Sequence, residues 1–158
     1  MAHLNFDDDL LIGKEGEKTV VGYLNRFHHA TLVSYNNTKE YDALVFFDRP
    51  SPFGVGHITL EIKTDVLISP KRDTGNLFIE TECRDKISGI QVTEADWFLY
   101  YLKHFDELWV ITPPKLLALI RTGRFPSAGG GDKGSGTKGI LIPREQEEAH
   151  FLTFRGIA

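Results

Sequence analysis

Tyr41-Asp42-Ala43-Leu44-Val45 and, beyond a turn, Ile58-Thr59-Leu60-Glu61-Ile62-Lys63 decide the reading of this chain: an acid opens one apolar run, and Glu-x-Lys closes the next. In an extended strand successive side chains alternate between faces, so Glu61 and Lys63 share one face while Leu60 and Ile62 point into a core. Eighteen residues, 43 to 60, separate Asp42 from Glu61. That is enough to run out along one strand, turn through Arg49-Pro50-Ser51-Pro52-Phe53-Gly54, and return. If the two strands pair antiparallel, the start of the first lies beside the end of the second, and Asp42 meets Glu61 and Lys63.

Two carboxylates and an ammonium at one sheet edge suit a hard divalent cation. Mg²⁺ takes oxygen ligands, keeps several waters, and is commonly held by one or two carboxylates together with substrate phosphate oxygens. Such an ion activates water and neutralises charge on phosphorus, while Lys63 orients the nucleophile or stabilises the transition state. Phosphodiester hydrolysis is the chemistry expected. Glu-x-Lys also occurs as a solvated cross-strand charge pair, so the functional reading depends on Asp42 meeting it in space.

The pattern of Asp42, an 18-residue hairpin and Glu61-Ile62-Lys63 after an apolar run resembles the PD-(D/E)XK nuclease superfamily. That group includes restriction enzymes, Holliday-junction resolvases, phage exonucleases and some homing endonucleases. Tyr41 stands where the family has proline. The resemblance implies an α/β fold with a restriction-endonuclease-like core, a central mixed β-sheet flanked by helices in the order αβββαβ. It also implies Mg²⁺, with Mn²⁺ as a substitute, held by Asp42, Glu61 and the backbone carbonyl of Ile62, with Lys63 catalytic. The expected products are a 5′-phosphate and a 3′-hydroxyl. Residues 7 to 28 read as an amphipathic helix with Asp7, Asp8 and Asp9 at its positive end. Within it, Gly13-Lys14-Glu15-Gly16-Glu17 resembles the segment that supplies a further acid to the metal site in resolvase-like members. By that likeness Glu17 is the better candidate and Glu15 the weaker.

With 158 residues and 41% hydrophobic content, one domain spanning 1–158 is expected. No run of about 18 apolar residues and no charged-then-apolar leader is present, so the expectation is a cytoplasmic protein, or one of a host's cytoplasm if viral, without a membrane partner. Cys83 is the single cysteine, which excludes an intramolecular disulfide and a cysteine zinc cluster. The net charge of −4 is adverse for binding a polyanion, although divalent ions would reverse it locally.

Further along, Ala30 to Tyr35 is β-rich and 36 to 40 a polar turn. The loop 69 to 76 carries Lys71 and Arg72 as phosphate contacts. Leu77-Phe78-Ile79 reads as a strand ending at Glu80, a second-tier site residue because a neighbouring strand would bring it near Lys63. Arg84 and Lys86 lie in a polar loop as nucleic-acid contacts, with Gln91 second-tier. Thr93-Glu94-Ala95-Asp96 reads as a capped helix start, so 97 to 102 is expected as a buried helix. A strand at 107 to 112 precedes a helix opened by Pro113-Pro114. Residues 126–139 read as a flexible glycine-rich loop whose Lys133 and Lys138 would wrap nucleic acid, and the tail as strands at a sheet edge.

The function expected from all this is a metal-dependent DNA endonuclease, structure-selective or site-specific, working as a homodimer. The alternatives are a non-catalytic nucleic-acid-binding module on the same fold, an exonuclease, or a small phosphate-ester hydrolase.

Overall fold

A computed structural model describes residues 6–36, 38, 40–130 and 136–158. The first helix, α1 (Phe6–His28), has three acids in its first turn and Arg26 and His28 in its last, complementing the helix dipole at both ends. Val20, Val21, Tyr23 and Leu24 are buried as one stripe against a sheet. His29, at φ 58°, turns the chain out of the helix into β1 (Ala30–Tyr35).

β2 (Ala43–Ser51) and β3 (Gly54–Asp65) form the expected antiparallel hairpin. β4 (Asn76–Cys83) and the two-residue β5 (Lys86–Ile87) follow, then β6 (Trp97–Leu102), β7 (Glu107–Ile111) and α2 (Pro113–Arg121). The chain closes with β8 (Ser127–Gly130), β9 (Thr137–Pro143), the one-turn α3 (Arg144–Glu147) and β10 (Leu152–Arg155). Six strands make one sheet in the order β1-β2-β3-β6-β7-β10, and four make a second in the order β5-β4-β9-β8. The larger sheet is mixed: β3 and β6 run parallel and its other pairings are antiparallel. One of its faces packs on α1 through Val45, Phe47, Leu60 and Ile62. The other packs through Tyr100, Leu102 and Ile111 on the second sheet's Leu77 and Ile79 and on α2's Leu116. The molecule is therefore mixed α/β, with a central mixed sheet between helices.

Three expectations are corrected. Trp97–Leu102 is a strand and not a helix. A six-residue run that is apolar throughout has no period to separate the two, and length together with aromatic content favours a strand. Pairing with β3 covers it, and five of its six residues are buried. Thr93 and Asp96 accordingly cap nothing: the Asp96 carboxylate accepts the Thr59 N–H at 2.8 Å and its hydroxyl at 3.0 Å, guiding the chain into β6. The order αβββαβ thus lacks its second helix at that place; α2 follows β7 instead.

The second correction concerns 126–139. Ser127–Gly130 and the start of β9 are strands, while 131–135, with Lys133, lie outside the described residues. The glycines here serve packing. A Cβ on Gly130 or Gly139 would overlap the Phe78 ring, so the ring lies across bare backbone of the neighbouring strands, a way of stabilising glycine in a sheet. Third, β9 is interior to its sheet, between β4 and β8; only β10 of the tail is at an edge. Among the described residues no helix is long and apolar enough to cross a membrane.

Candidate active site

Ala43 pairs with Leu60 and Leu44 with Thr59, and Asp42 lies just before the first residue of β2. The Asp42 N–H donates to the Leu60 carbonyl at 2.8 Å, and the Ile62 N–H donates to Asp42 Oδ2 at 2.7 Å. In an extended strand a residue's N–H and C=O leave on the same side, so the Ile62 carbonyl also faces Asp42. Lys63 follows on the Glu61 face, exposed.

Glu17 is delivered from α1. Gly16 lies so close to β3 that a Cβ there would overlap the Thr64 hydroxyl. Without a side chain at 16 the helix settles onto the strand and brings the next residue to the strand's edge. Gly13 has open space around its Cα and no such role. Glu17, not the exposed Glu15, interacts with Asp42.

These acids disfavour each other's charge. The Glu61 carboxyl is pushed up to about 8, first by burial and then by Asp42 and Glu17, against the Thr93 hydrogen bond and Lys63. Glu17 is pushed up to about 7 by burial and by Asp42, with Lys14 opposing. Asp42 is raised by burial, against the Ile62 N–H and Lys63. Both causes, low dielectric and like charge, act in one direction on an acid, and such crowding is a mark of functional sites.

Two neighbours of the acids carry no signal in the sequence. Thr93 Oγ1 lies 3.3 Å from Glu61 Oε2 and 3.0 Å from the Glu40 carbonyl, so its single proton serves one at a time. The Tyr35 phenol is raised by burial and then by Glu17. Both contacts span long stretches of chain, and isolated Thr and Tyr residues have no local pattern.

An open cleft of about 280 Å³ begins at Glu61, Ile62 and Lys63, and its far wall includes Phe78 and Glu80 of β4. Glu80 therefore does share a space with Lys63; its Oε1 accepts the Ser88 hydroxyl at 2.6 Å. Gln91 is not a cleft residue, and its amide donates to the Thr81 carbonyl at 3.3 Å. Lys71 and Arg72 are exposed on the loop after β3, away from the cleft lining. Arg84, Lys86 and Lys138 gather around the β4–β5 hairpin, where Lys138 lies 3.9 Å from Glu82 and 3.8 Å from Asp85. Asp65 belongs elsewhere, buried and bonded to Tyr100.

Among the described residues no three Asp, Glu, His or Cys side chains close into a metal cage. Asp42, Glu61 and the Ile62 carbonyl are an all-oxygen set that leaves most positions open. That fits Mg²⁺, which keeps its waters and shares phosphate oxygens, and does not fit the closed nitrogen and sulfur cages of structural zinc.

The fold and site define a mixed α/β domain with carboxylates gathered where β2 begins beside β3. No protein-family model matches the chain, and no curated protein matches it. Among solved structures it is similar to that of D212, a nuclease from a fusselovirus, at 14% identity over 96% of this chain and 88% of that one, with a TM-score of 0.42.

Proposed function

We propose that this chain is a metal-dependent nuclease that hydrolyses phosphodiester bonds in DNA. The observation that carries the reading is the Asp42 carboxylate held by the Ile62 N–H at 2.7 Å, next to Glu61, whose carboxyl Asp42 and Glu17 both push up. Half-buried carboxylates crowded against one another cost folding energy that a cation would return.

Asp42, Glu61 and the Ile62 carbonyl would hold Mg²⁺ or Mn²⁺, which when bound supplies charge neutralisation at phosphorus and acidifies water. Glu17 adds negative charge from the helix side and strengthens the attraction for a cation. Lys63, exposed beside them, is placed to meet the phosphate and stabilise charge gathering on its oxygens. Thr93 holds one oxygen of the Glu61 carboxyl through its hydroxyl. A homodimer is supported by β1, a free sheet edge that exposes Leu32, Val33 and Tyr35; sedimentation tests it.

The test is incubation with supercoiled, linear and four-way-junction DNA in Mg²⁺, Mn²⁺ or EDTA, alongside Glu61→Gln and Lys63→Ala. Wild type cuts with either metal and not in EDTA, and both variants lose the activity. A wild type that cuts nothing, or variants that retain full activity, would falsify the reading.

A further inference from the structure

We infer that the cleft beside Glu61 and Lys63 receives one unpaired nucleobase of the strand being cut, so that the substrate class is single-stranded or locally unpaired nucleic acid. This rests on the nuclease reading for the phosphate beside the carboxylates, and the cleft supplies the rest.

One wall of the cleft is Glu61 and Lys63 themselves, so whatever fills it lies within a nucleotide of the reacting phosphate. Its lining mixes charged and apolar groups, the latter including the buried Ile90 and Phe98. At about 280 Å³ it lies at the small end of ligand pockets, which run from about 300 Å³ upward. That is room for one planar ring system with its sugar, and not for a base pair.

Phe78 is a prepared stacking surface. Its ring is pressed on the bare backbone of Gly130 and Gly139 and is half-buried on the cleft side, so little entropy is lost when a base stacks on it. Ile87, on the same lining, is 62% exposed and offers an apolar side chain to whatever enters the cleft. Aromatic and apolar walls of this kind take any base by its face. Glu80 stands at the edge with one oxygen held by Ser88 at 2.6 Å, which leaves the other to accept from the amino group of a base, as carboxylates do from cytosine.

Charge points the same way. A chain of net charge −4 is poorly equipped to bind duplex by neutralising many phosphates, whereas stacking does not require a basic surface.

A short oligonucleotide carrying 2-aminopurine is the probe, presented single-stranded, as a one-base bulge, and fully paired, to the whole chain in EDTA. The expected result is quenched fluorescence and about tenfold tighter binding for the unpaired forms, with the preference lost in Phe78→Leu and in Ile87→Ser. Ile87 is exposed, so its variant tests the cleft even if Phe78→Leu unfolds. Equal affinity for paired and unpaired forms, or a preference that Ile87→Ser leaves intact, overturns the inference. Repeating the series in Mg²⁺ separates the two readings. Quenching without cleavage keeps the cleft and removes the nuclease. Cleavage of paired and unpaired DNA at equal rates, unaffected by both variants, does the reverse.

Discussion

Glu61 and Asp65 leave the same face of β3, two pleats apart, and end in opposite surroundings. Asp65 is 9% exposed, and donors meet it on every side: the Tyr100 hydroxyl at 2.5 Å and the backbone N–H groups of Leu67 and Ile68 at 2.9 and 3.2 Å. Tyr100 Oη also accepts the Phe78 N–H at 3.3 Å, so this acid ties the larger sheet to the smaller. Glu61 has one hydroxyl and the exposed Lys63, and otherwise faces Asp42 and Glu17. A buried carboxylate surrounded by donors holds a fold together. One crowded by other carboxylates strains it, a strain that the proposed cation would relieve.

The sharpest way to break this contrast is to neutralise each acid in turn. Glu61→Gln is expected to cut nicking by about a hundred- to thousandfold, the scale for removing one preorganised electrostatic group, while leaving the metal-free melting temperature at pH 8.5 unchanged or higher. A lower melting temperature would make Glu61 structural, like its neighbour.

Asp65→Ala should show the converse. Removing an acceptor that holds three donors, two of them buried, is expected to cost about 3 kcal/mol, read from urea unfolding, and the folded fraction should still bind metal. Stability within error of wild type would remove the distinction.

Gly16→Ala lies between the two. The added methyl meets Thr64, and overpacking of this kind costs about 1–3 kcal/mol. By pushing α1 off β3 it should also weaken Mg²⁺ binding in calorimetry, since Glu17 moves with the helix. Loss of stability with unchanged Mg²⁺ affinity would exclude Glu17 from the site.

The last test varies pH. Glu17 near 7 and Glu61 near 8 in the folded chain lie above the ordinary 4.5, so between those values the folded state binds more protons than the unfolded. Metal-free stability is therefore expected to fall as pH rises from about 5 to about 8, with Mg²⁺ flattening the slope. A rise over that window, followed by calorimetry in EDTA, would contradict the crowding of acids.

How much was readable in advance follows from distance along the chain. Asp42 and Glu61 were legible because one hairpin joins them, and a hairpin's register carries its first residue to its last. α1 was legible from its acids and its stripe, and β1 from its composition. Trp97–Leu102 was not, because an all-apolar hexamer is equally at home as buried helix or buried strand until a partner is chosen. The glycines of 126–139 resembled a loop because Phe78, the ring that makes them a sheet, is some fifty residues away. Thr93 and Ile87 belong to the same class: each acquires its place from a contact no local pattern encodes.

What the sequence determined by itself is the local chemistry: an amphipathic helix led by acids, a hairpin with carboxylates at its open end, and a single cysteine that rules out a cysteine zinc cluster. Tertiary structure alone decided which of two acids on one strand is satisfied and which is crowded, and that a second sheet closes a cleft beside the crowded one. The physical reason is that strand alternation fixes a side chain's face, whereas its energy depends on what the rest of the chain brings to that face.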